Sequence, residues 1–210
     1  ADECAPLPTE AQQRLQDLVH RLRQIKAMHH EETCRIKQTD DRFIRSSIET
    51  LLATLGEQMK HTQKAIDEAI KMDPALSRKN ELLRSCKGIG PQSAQAILAL
   101  LPEIGTIDRK KIAALVGVAP MTRKSGSSLD TAHIYGGRKP LRDILYMASV
   151  TASVSNPVFK QTYARLRANG KPAKLALAAV MRKMIVTLNA MLKTDTLWSV
   201  DFYCPRSENA

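Results

Sequence analysis

The sequence is poor in aromatic residues and its cysteines are scattered. Phe, Trp and Tyr make up 4% of the 210 residues, which argues against a protein that reads single strands by stacking bases on aromatic rings. None of the four cysteines has a Cys-x-x-Cys partner; they are Cys4, Cys34, Cys86 and Cys204. Neither a zinc site nor a disulfide framework is therefore indicated, and free thiols in a reducing compartment are expected.

Export and membrane signals are missing as well. No signal peptide opens the chain, and by inspection no apolar run is long enough to span a bilayer. We expect a soluble, cytoplasmic protein without a membrane partner. The formal net charge of +11 indicates a polyanionic partner, and nucleic acid is favoured.

Apolar and polar residues do not alternate with the period of two that is typical of strands, whereas the apolar residues of most segments recur at helical spacing. The fold predicted is all-α, with a long antiparallel helical (coiled-coil) hairpin followed by a small helical domain. We predict a coiled-coil arm over residues 1–75, a helical domain over residues 76–195 and a tail over residues 196–210.

Narrow apolar stripes define the predicted arm. They comprise Leu15, Leu18, Leu22 and Ile25, then Ile44, Ile48, Leu51, Leu52, Leu55, Met59, Ile66 and Ile70. Such stripes are typical of packing or dimerisation, either within one chain or between chains of a homo-oligomer. A metal site in the cluster from His29 to Cys34 is disfavoured, because adjacent histidines on a helix point in different directions. Met72-Asp73-Pro74 ends the arm.

The glycine pair Gly88-Ile89-Gly90 predicts a helix-hairpin-helix at the start of the second domain. Glycines permit a tight turn, and the following helix offers free amides to a DNA phosphate. We predict nucleic-acid contacts at Lys87, Gly88 and Gly90. A hairpin used only for packing two helices is the alternative.

The stretch from Gly117 to Arg142 carries the strongest chemical signal. It places Ser125 beside Gly126, with five cations close by in sequence: Arg123, Lys124, Arg138, Lys139 and Arg142. Such a serine can attack a phosphodiester if neighbouring cations stabilise charge on the phosphorus oxygens. The alternative is a solvated basic loop in which Ser-Gly only turns the chain.

This stretch resembles the C-terminal domain of insertion-sequence transposases of the Piv-invertase-like, bridge-RNA-guided family. The similarity rests on Gly-Val-Ala-Pro from Gly117, the Ser125-Gly126 pair and Gly-Gly-Arg-Lys-Pro-Leu-Arg from Gly136, and it covers roughly residues 80 to 195. The resemblance implies that Ser125 is the nucleophile that joins covalently to DNA, with Ser127 and Ser128 as neighbouring alternatives.

The resemblance also implies partners that this chain does not itself supply. Family members carry an N-terminal RuvC-like domain with a DEDD carboxylate set that binds Mg²⁺, and they use a guide RNA. Nothing here corresponds to that domain, so we expect an excised fragment that binds nucleic acid but does not cleave it alone. No convincing general base for Ser125 is visible; His133, Asp130 and Asp143 are the nearest candidates.

Two other functions are compatible with parts of the sequence. The first is a non-enzymatic helix-hairpin-helix module that binds DNA or RNA, with the arm as a dimerisation element. The second, a serine hydrolase, is weak because no Gly-x-Ser-x-Gly elbow follows a strand. For Arg182 and Lys183 on the last helix, a solvated face and a contact with the polymer both stay open.

Overall fold

The computed structural model describes residues 9–121, 133–134 and 136–200. The elements run in the order α1 (Glu10–Arg35), a short 3-10 helix (Ile36–Gln38), α2 (Arg42–Met72), α3 (Pro74–Ser85), α4 (Pro91–Leu100), α5 (Arg109–Val116), β1 (Pro120–Met121), β2 (His133–Ile134), α6 (Lys139–Ser155), α7 (Pro157–Ala168) and α8 (Ala173–Thr194). The all-α prediction is confirmed, since the strands in the described part of the chain are only two residues long. The chain divides between residues 77 and 78 into two compact units.

The first unit is built on α1 and α2, which pack against each other. The Thr9 side chain accepts a hydrogen bond from the Gln12 amide at the start of α1, and Asp41 does the same for Ile44 at the start of α2. Each side chain thereby satisfies an amide that the first helical turn leaves without a partner. Both helices of this unit therefore begin at a side-chain cap. That the arm forms a coiled coil stays a prediction.

The predicted α1 stripe is correct in three of its four positions. Leu15, Leu22 and Ile25 are buried, but Val19 is the fourth buried residue and Leu18 is only partly covered. The predicted α2 stripe is buried at Leu55, Ile66 and Ile70. Its N-terminal part lies open: Ile44 is 48% and Leu51 is 43% exposed, and the neighbouring Phe43 is 83% exposed.

The second unit is organised around α8, which packs on α5, α6 and α7. Its buried side chains include Leu177, Val180, Met184 and Leu188. The sequence interpretation overlooked that α8 alone, among the described helices, is long and apolar enough to cross a membrane by length and composition. More than half of that stretch is buried inside the fold, so packing accounts for its apolar character.

The chain that follows α8 returns to α3 and α7 within the second unit. Asp195 pairs with Arg78, with a 2.9 Å distance between Arg78 Nε and Asp195 Oδ1. The Trp198 ring stacks on fully buried Phe159 at a centroid distance of 5.4 Å, and the Trp198 amide donates to Ser85 Oγ. Trp198, in the predicted tail, is therefore docked on the second unit.

Candidate nucleic-acid interface

The two ends of the Ser-Gly segment are brought together by a short antiparallel ladder. Pro120 in β1 lies opposite Ile134 in β2, and Met121 lies opposite His133. The predicted nucleophile and its neighbours lie outside the described residues; these are Arg123, Lys124, Ser125, Gly126, Ser127 and Ser128. The structure therefore defines the base from which this segment emerges, here called the segment base: residues 117–121, 133–134 and 136–138.

Glycines on the two sides of the segment base are in close backbone contact. Gly117 ends α5 with φ of 77°, the left-handed conformation typical of a glycine that follows a helix. A Cβ on Gly117 would overlap the Gly136 carbonyl oxygen, and a Cβ on Gly137 would lie 2.7 Å from Gly117 Cα. The Arg138 amide also donates to the Leu115 carbonyl at 2.9 Å. The backbones on either side of the segment thus touch without intervening side chains.

The guanidinium of Arg138 fastens the segment base to the connector after α4. Its Nη1 donates to Glu103 Oε2 at 2.8 Å and to the Leu100 carbonyl at 2.7 Å, and its Nη2 donates to Glu103 Oε1 at 2.5 Å. This bidentate pair is about one-third exposed, and hydrogen bonding from Arg138 lowers the pKa of Glu103. The predicted nucleic-acid contact at Arg138 stays a prediction, but the group already has a structural use.

The two other predicted cations of this region also have partners within the chain. Lys139 Nζ lies 2.8 Å from Asp143 Oδ2, one helical turn on, and both side chains are mostly exposed. Arg142 Nη1 donates to the Gly136 carbonyl. Such an exposed lysine pair exchanges readily with solvent ions, so Lys139 can turn to a phosphate at little cost, whereas Arg142 helps to hold the segment base.

The turn between α3 and α4 carries the other predicted contacts. Gly88 adopts φ of 108°, and a Cβ there would lie 2.5 Å from Ala152 Cβ on α6. Gly90, by contrast, is extended at φ of −81° with nothing within 4 Å of an added Cβ, so the turn requires only the first glycine of the predicted pair. Lys87 is exposed. Its carbonyl accepts from Asn156 Nδ2 at 3.1 Å.

The predicted contacts fall into two groups at opposite ends of α6. The α3–α4 turn packs at Ala152, near the C-terminal end, whereas Arg138, Lys139 and Arg142 lie at the N-terminal end. Ten residues separate positions 142 and 152, which corresponds to about 15 Å along a helix. One phosphate cannot meet both groups. A nucleic-acid strand that lies along α6 would meet the two groups of residues one after the other.

Carboxylate, imidazole and thiol groups do not gather into a metal site in the described ranges. No group of three or more His, Cys, Asp or Glu side chains there is placed to hold a metal ion. Burial raises the pKa of the Cys86 thiol to about 12, so this cysteine stays protonated and unreactive. The described residues thus offer anion-binding groups and no magnesium ligand set.

Known proteins add an independent observation on this region. Residues 80–164 match the family model described as the transposase IS116/IS110/IS902 family. The matched range includes the α3–α4 turn, the whole segment base and the Ser125-Gly126 pair. The match supports the assignment of this part of the chain to that transposase family.

Individual relatives agree with the family match. An insertion element IS110 protein of Streptomyces coelicolor is 27% identical over 72% of this chain and 37% of its own length. The pilin gene-inverting protein of Moraxella lacunata is 25% identical over 73% of this chain and 49% of its own. An insertion element IS116 protein of Streptomyces clavuligerus is 28% identical over 70% of this chain and 37% of its own length. The chain spans less than half the length of these relatives.

Sequence reasoning missed the residues that hold the site in place. Glu103 and Asn156 are not among the predicted site residues, although the buried Asn156 side chain donates to the Lys87 carbonyl and accepts from the Val158 amide. Asn189 likewise binds the Gly105 amide and the Ile107 carbonyl. A signal was present for Glu103 alone, as the single charged residue between α4 and the Asp108 cap. The amides of Asn156 and Asn189 are satisfied across distant parts of the chain, which no local pattern reports.

Proposed function

We propose that this chain is part of a DNA transposase or recombinase, in which Ser125 attacks a DNA phosphate during strand cleavage and exchange. The observation that carries the proposal is the transposase family match over residues 80–164, which spans the segment base and Ser125. Two kinds of relative support it. Some are named for insertion elements, and others are named for gene inversion.

The proposed chemistry is a phosphoryl transfer. A bond forms between Ser125 Oγ and the phosphorus as the bond between phosphorus and a deoxyribose oxygen breaks, and the leaving oxygen takes up a proton. The serine proton must pass to a base; the resemblance implies that the RuvC-like domain, with its acidic residues and Mg²⁺, completes the site. This chain contributes the nucleophile and its anchoring.

The segment base suits this role because it holds both ends of the reactive segment to the core of the second unit. Positioning a nucleophile relative to its target accounts for a large part of catalysis in general. Lys139, at the N-terminal end of α6, and Lys87, in the α3–α4 turn, are proposed to contact DNA or guide RNA phosphates. These contacts position the polymer without reading its sequence.

Covalent trapping tests the proposal directly. A protein that carries this chain together with a RuvC-like domain is incubated with guide RNA, labelled target DNA and magnesium, and a covalent protein–DNA adduct is sought on a denaturing gel. We expect an adduct that Ser125→Ala abolishes and that Ser127→Ala and Ser128→Ala retain. Salt-sensitive DNA binding without any adduct would instead favour the non-enzymatic helix-hairpin-helix module.

We propose further that the open part of the α2 stripe contacts a second copy of the chain. Phe43, Ile44 and Leu51 expose apolar surface along one side of the helix, on a stripe whose spacing is typical of helix pairing. Sedimentation of the parent chain should show a concentration-dependent oligomer, and Phe43→Ser combined with Ile44→Ser should shift it to the monomer. The control is Lys60→Ser, a change of an exposed residue on the same helix. A parent chain that sediments as a monomer at all concentrations would contradict this proposal.

A further inference from the structure

A buried asparagine of α8 binds the connector between α4 and α5, which comprises residues 101–108. Asn189 is only 5% exposed. Its Oδ1 accepts from the Gly105 amide and its Nδ2 donates to the Ile107 carbonyl, both at 2.8 Å. A buried amide group is costly unless its oxygen and its nitrogen both find partners, and here each has one. The α8 helix therefore holds the connector at two backbone positions.

The backbone of the connector also lies directly against α8. Gly105 adopts φ of 90°, and a Cβ there would lie 3.0 Å from Leu192 Cβ, which follows Asn189 by three residues and shares its side of the helix. A local turn joins this contact to Glu103, because the amide and the hydroxyl of Thr106 both donate to the Glu103 carbonyl. The backbone of Glu103 thus belongs to the same turn that α8 holds.

Glu103 links this turn to the segment base. Arg138 donates to the Glu103 carboxylate and to the Leu100 carbonyl at the C-terminal end of α4. The distance between these two acceptors depends on the conformation of the connector. The Arg138 amide in turn donates to the Leu115 carbonyl at 2.9 Å. Hydrogen bonds and short stretches of backbone therefore connect Asn189 on α8 with the segment base.

We propose that Asn189 is a positioning residue for the segment that carries Ser125, and that it acts through Glu103 and Arg138. With Asn189 in place, the connector presents both acceptors to the guanidinium at a fixed separation. Without it, two backbone groups of the connector lose their partner and this separation is no longer fixed. The effect on strand cleavage rests on the proposed function, whereas the effect on the segment base does not.

Hydrogen exchange in this chain tests the effect on the segment base. Asn189→Leu removes both bonds to the connector, whereas Asn189→Asp keeps the acceptor for the Gly105 amide and loses the donor to the Ile107 carbonyl. In both variants we expect the Arg138 amide to exchange about tenfold faster or more, because the segment base opens locally more often. Asn189→Asp is the milder change and still tests the role if Asn189→Leu fails to fold.

Thr162→Val is the matched control. Thr162 is buried on α7, donates to the Val158 carbonyl and binds Lys183 Nζ on α8, so this variant also removes a buried polar contact of α8. It changes no contact of the connector, and exchange of the Arg138 amide should stay close to that of the parent chain. Urea unfolding of each variant separates a general loss of stability from local opening of the segment base.

The same variants test the effect on cleavage in a protein that also carries a RuvC-like domain. With guide RNA, magnesium and saturating target DNA, the rate of adduct formation should fall by about tenfold or more in both Asn189 variants, because misplacing a reacting group by about 1 Å can cost about a hundredfold. DNA affinity should be retained, and Thr162→Val should keep the parent rate. Protonation of the new carboxyl restores a donor for the Ile107 carbonyl. The deficit of Asn189→Asp should therefore shrink as the pH falls, whereas that of Asn189→Leu should not.

Two results would overturn the positioning role. The first is an Arg138 amide that exchanges at the parent rate in both Asn189 variants. The second is a Thr162→Val chain that, at the same free energy of unfolding, changes exchange and adduct rate as much as they do. If exchange changes as expected but the parent forms no adduct that depends on Ser125, the proposed function fails and the contact with the segment base stands. If both Asn189 variants form the adduct at the parent rate, the proposed function stands and the role of Asn189 in cleavage fails.

Discussion

The pairing of Arg138 with Glu103 yields a quantitative prediction about the segment base. Replacing Arg138 by Met removes three hydrogen bonds, two to the Glu103 carboxylate and one to the Leu100 carbonyl. Glu103 is then left charged and about 29% exposed. Fully exposed pairs contribute at most about 1 kcal/mol, whereas hydrogen bonds to charged groups contribute about 1.5–3 kcal/mol. For this partly buried pair we expect a loss of about 2 kcal/mol in the free energy of unfolding.

A double-mutant cycle isolates the interaction. Glu103→Gln keeps the shape of the side chain but removes its charge, and Arg138→Met with Glu103→Gln completes the cycle. Because the two residues share the same bonds, their effects should not add, and a coupling energy of about 1 kcal/mol is expected. The chain has a single tryptophan, and Trp198 stacks on Phe159 in the second unit. Its fluorescence during urea unfolding therefore reports on the unit that contains the pair.

Nucleic-acid binding by the same variants separates anchoring from phosphate contact. If Arg138 anchors the segment base, Arg138→Met and Glu103→Gln should both leave the salt slope of binding unchanged. A direct phosphate contact would lower the slope by about 0.9 in Arg138→Met, and Glu103→Gln would strengthen binding because a negative charge is removed. Additive stability losses together with such opposite binding effects would refute the anchoring role and restore the nucleic-acid contact predicted from the sequence.

Two further predictions concern the α3–α4 turn and α8. Gly88→Ala should destabilise the second unit by more than about 1 kcal/mol, because its Cβ would meet Ala152 in a positive-φ conformation, whereas Gly90→Ala should be nearly neutral; equal losses by tryptophan-monitored unfolding would contradict this. The pKa of Lys183 in the folded state, about 8, lies below the ordinary lysine value of 10.5, so the unfolded state binds more protons at this group between these values and the Lys183 contribution to stability should rise with pH; the raised pKa of Cys86 acts in the opposite direction, in parent and variant alike. Lys183→Met should remove this rise, and a parent and variant with parallel pH profiles would show that the pKa is not lowered.

The all-α fold class and the positions of the helix ends could be predicted because both depend on residues that are close together in the sequence. Asp108 caps α5 through the Lys110 and Lys111 amides, and Asn156 caps α7 through the Val158 amide. Each cap is a side chain within three residues of the amide that it satisfies. The same locality explains why the ends of α2 and α5 fall where proline and glycine predict them.

The remaining features depend on residues that are far apart in the sequence. Spacing on α1 could not choose between Leu18 and Val19, because that choice depends on where α2 lies. The Gly90 prediction treated both glycines of the turn as necessary, yet only Gly88 faces another backbone, at Ala152. The pairing of Arg138 with Glu103 joins positions 35 residues apart. The sequence shows the charge of Arg138 but not its partner, so Arg138 was predicted to contact DNA.

The distribution of ion pairs in the second unit separates anchoring from binding. At the N-terminal end of α6, Arg138 and Arg142 hold backbone carbonyls of the connector and the segment base, so removing either one first disturbs the position of the segment. Lys139, by contrast, pairs with Asp143 on the exposed surface of the same helix, so removing it first changes the attraction for phosphate. Under the proposed function, changes at Arg138 or Arg142 should therefore abolish the covalent adduct with nucleic-acid affinity retained, whereas Lys139→Gln should weaken affinity while the adduct still forms in the bound complex.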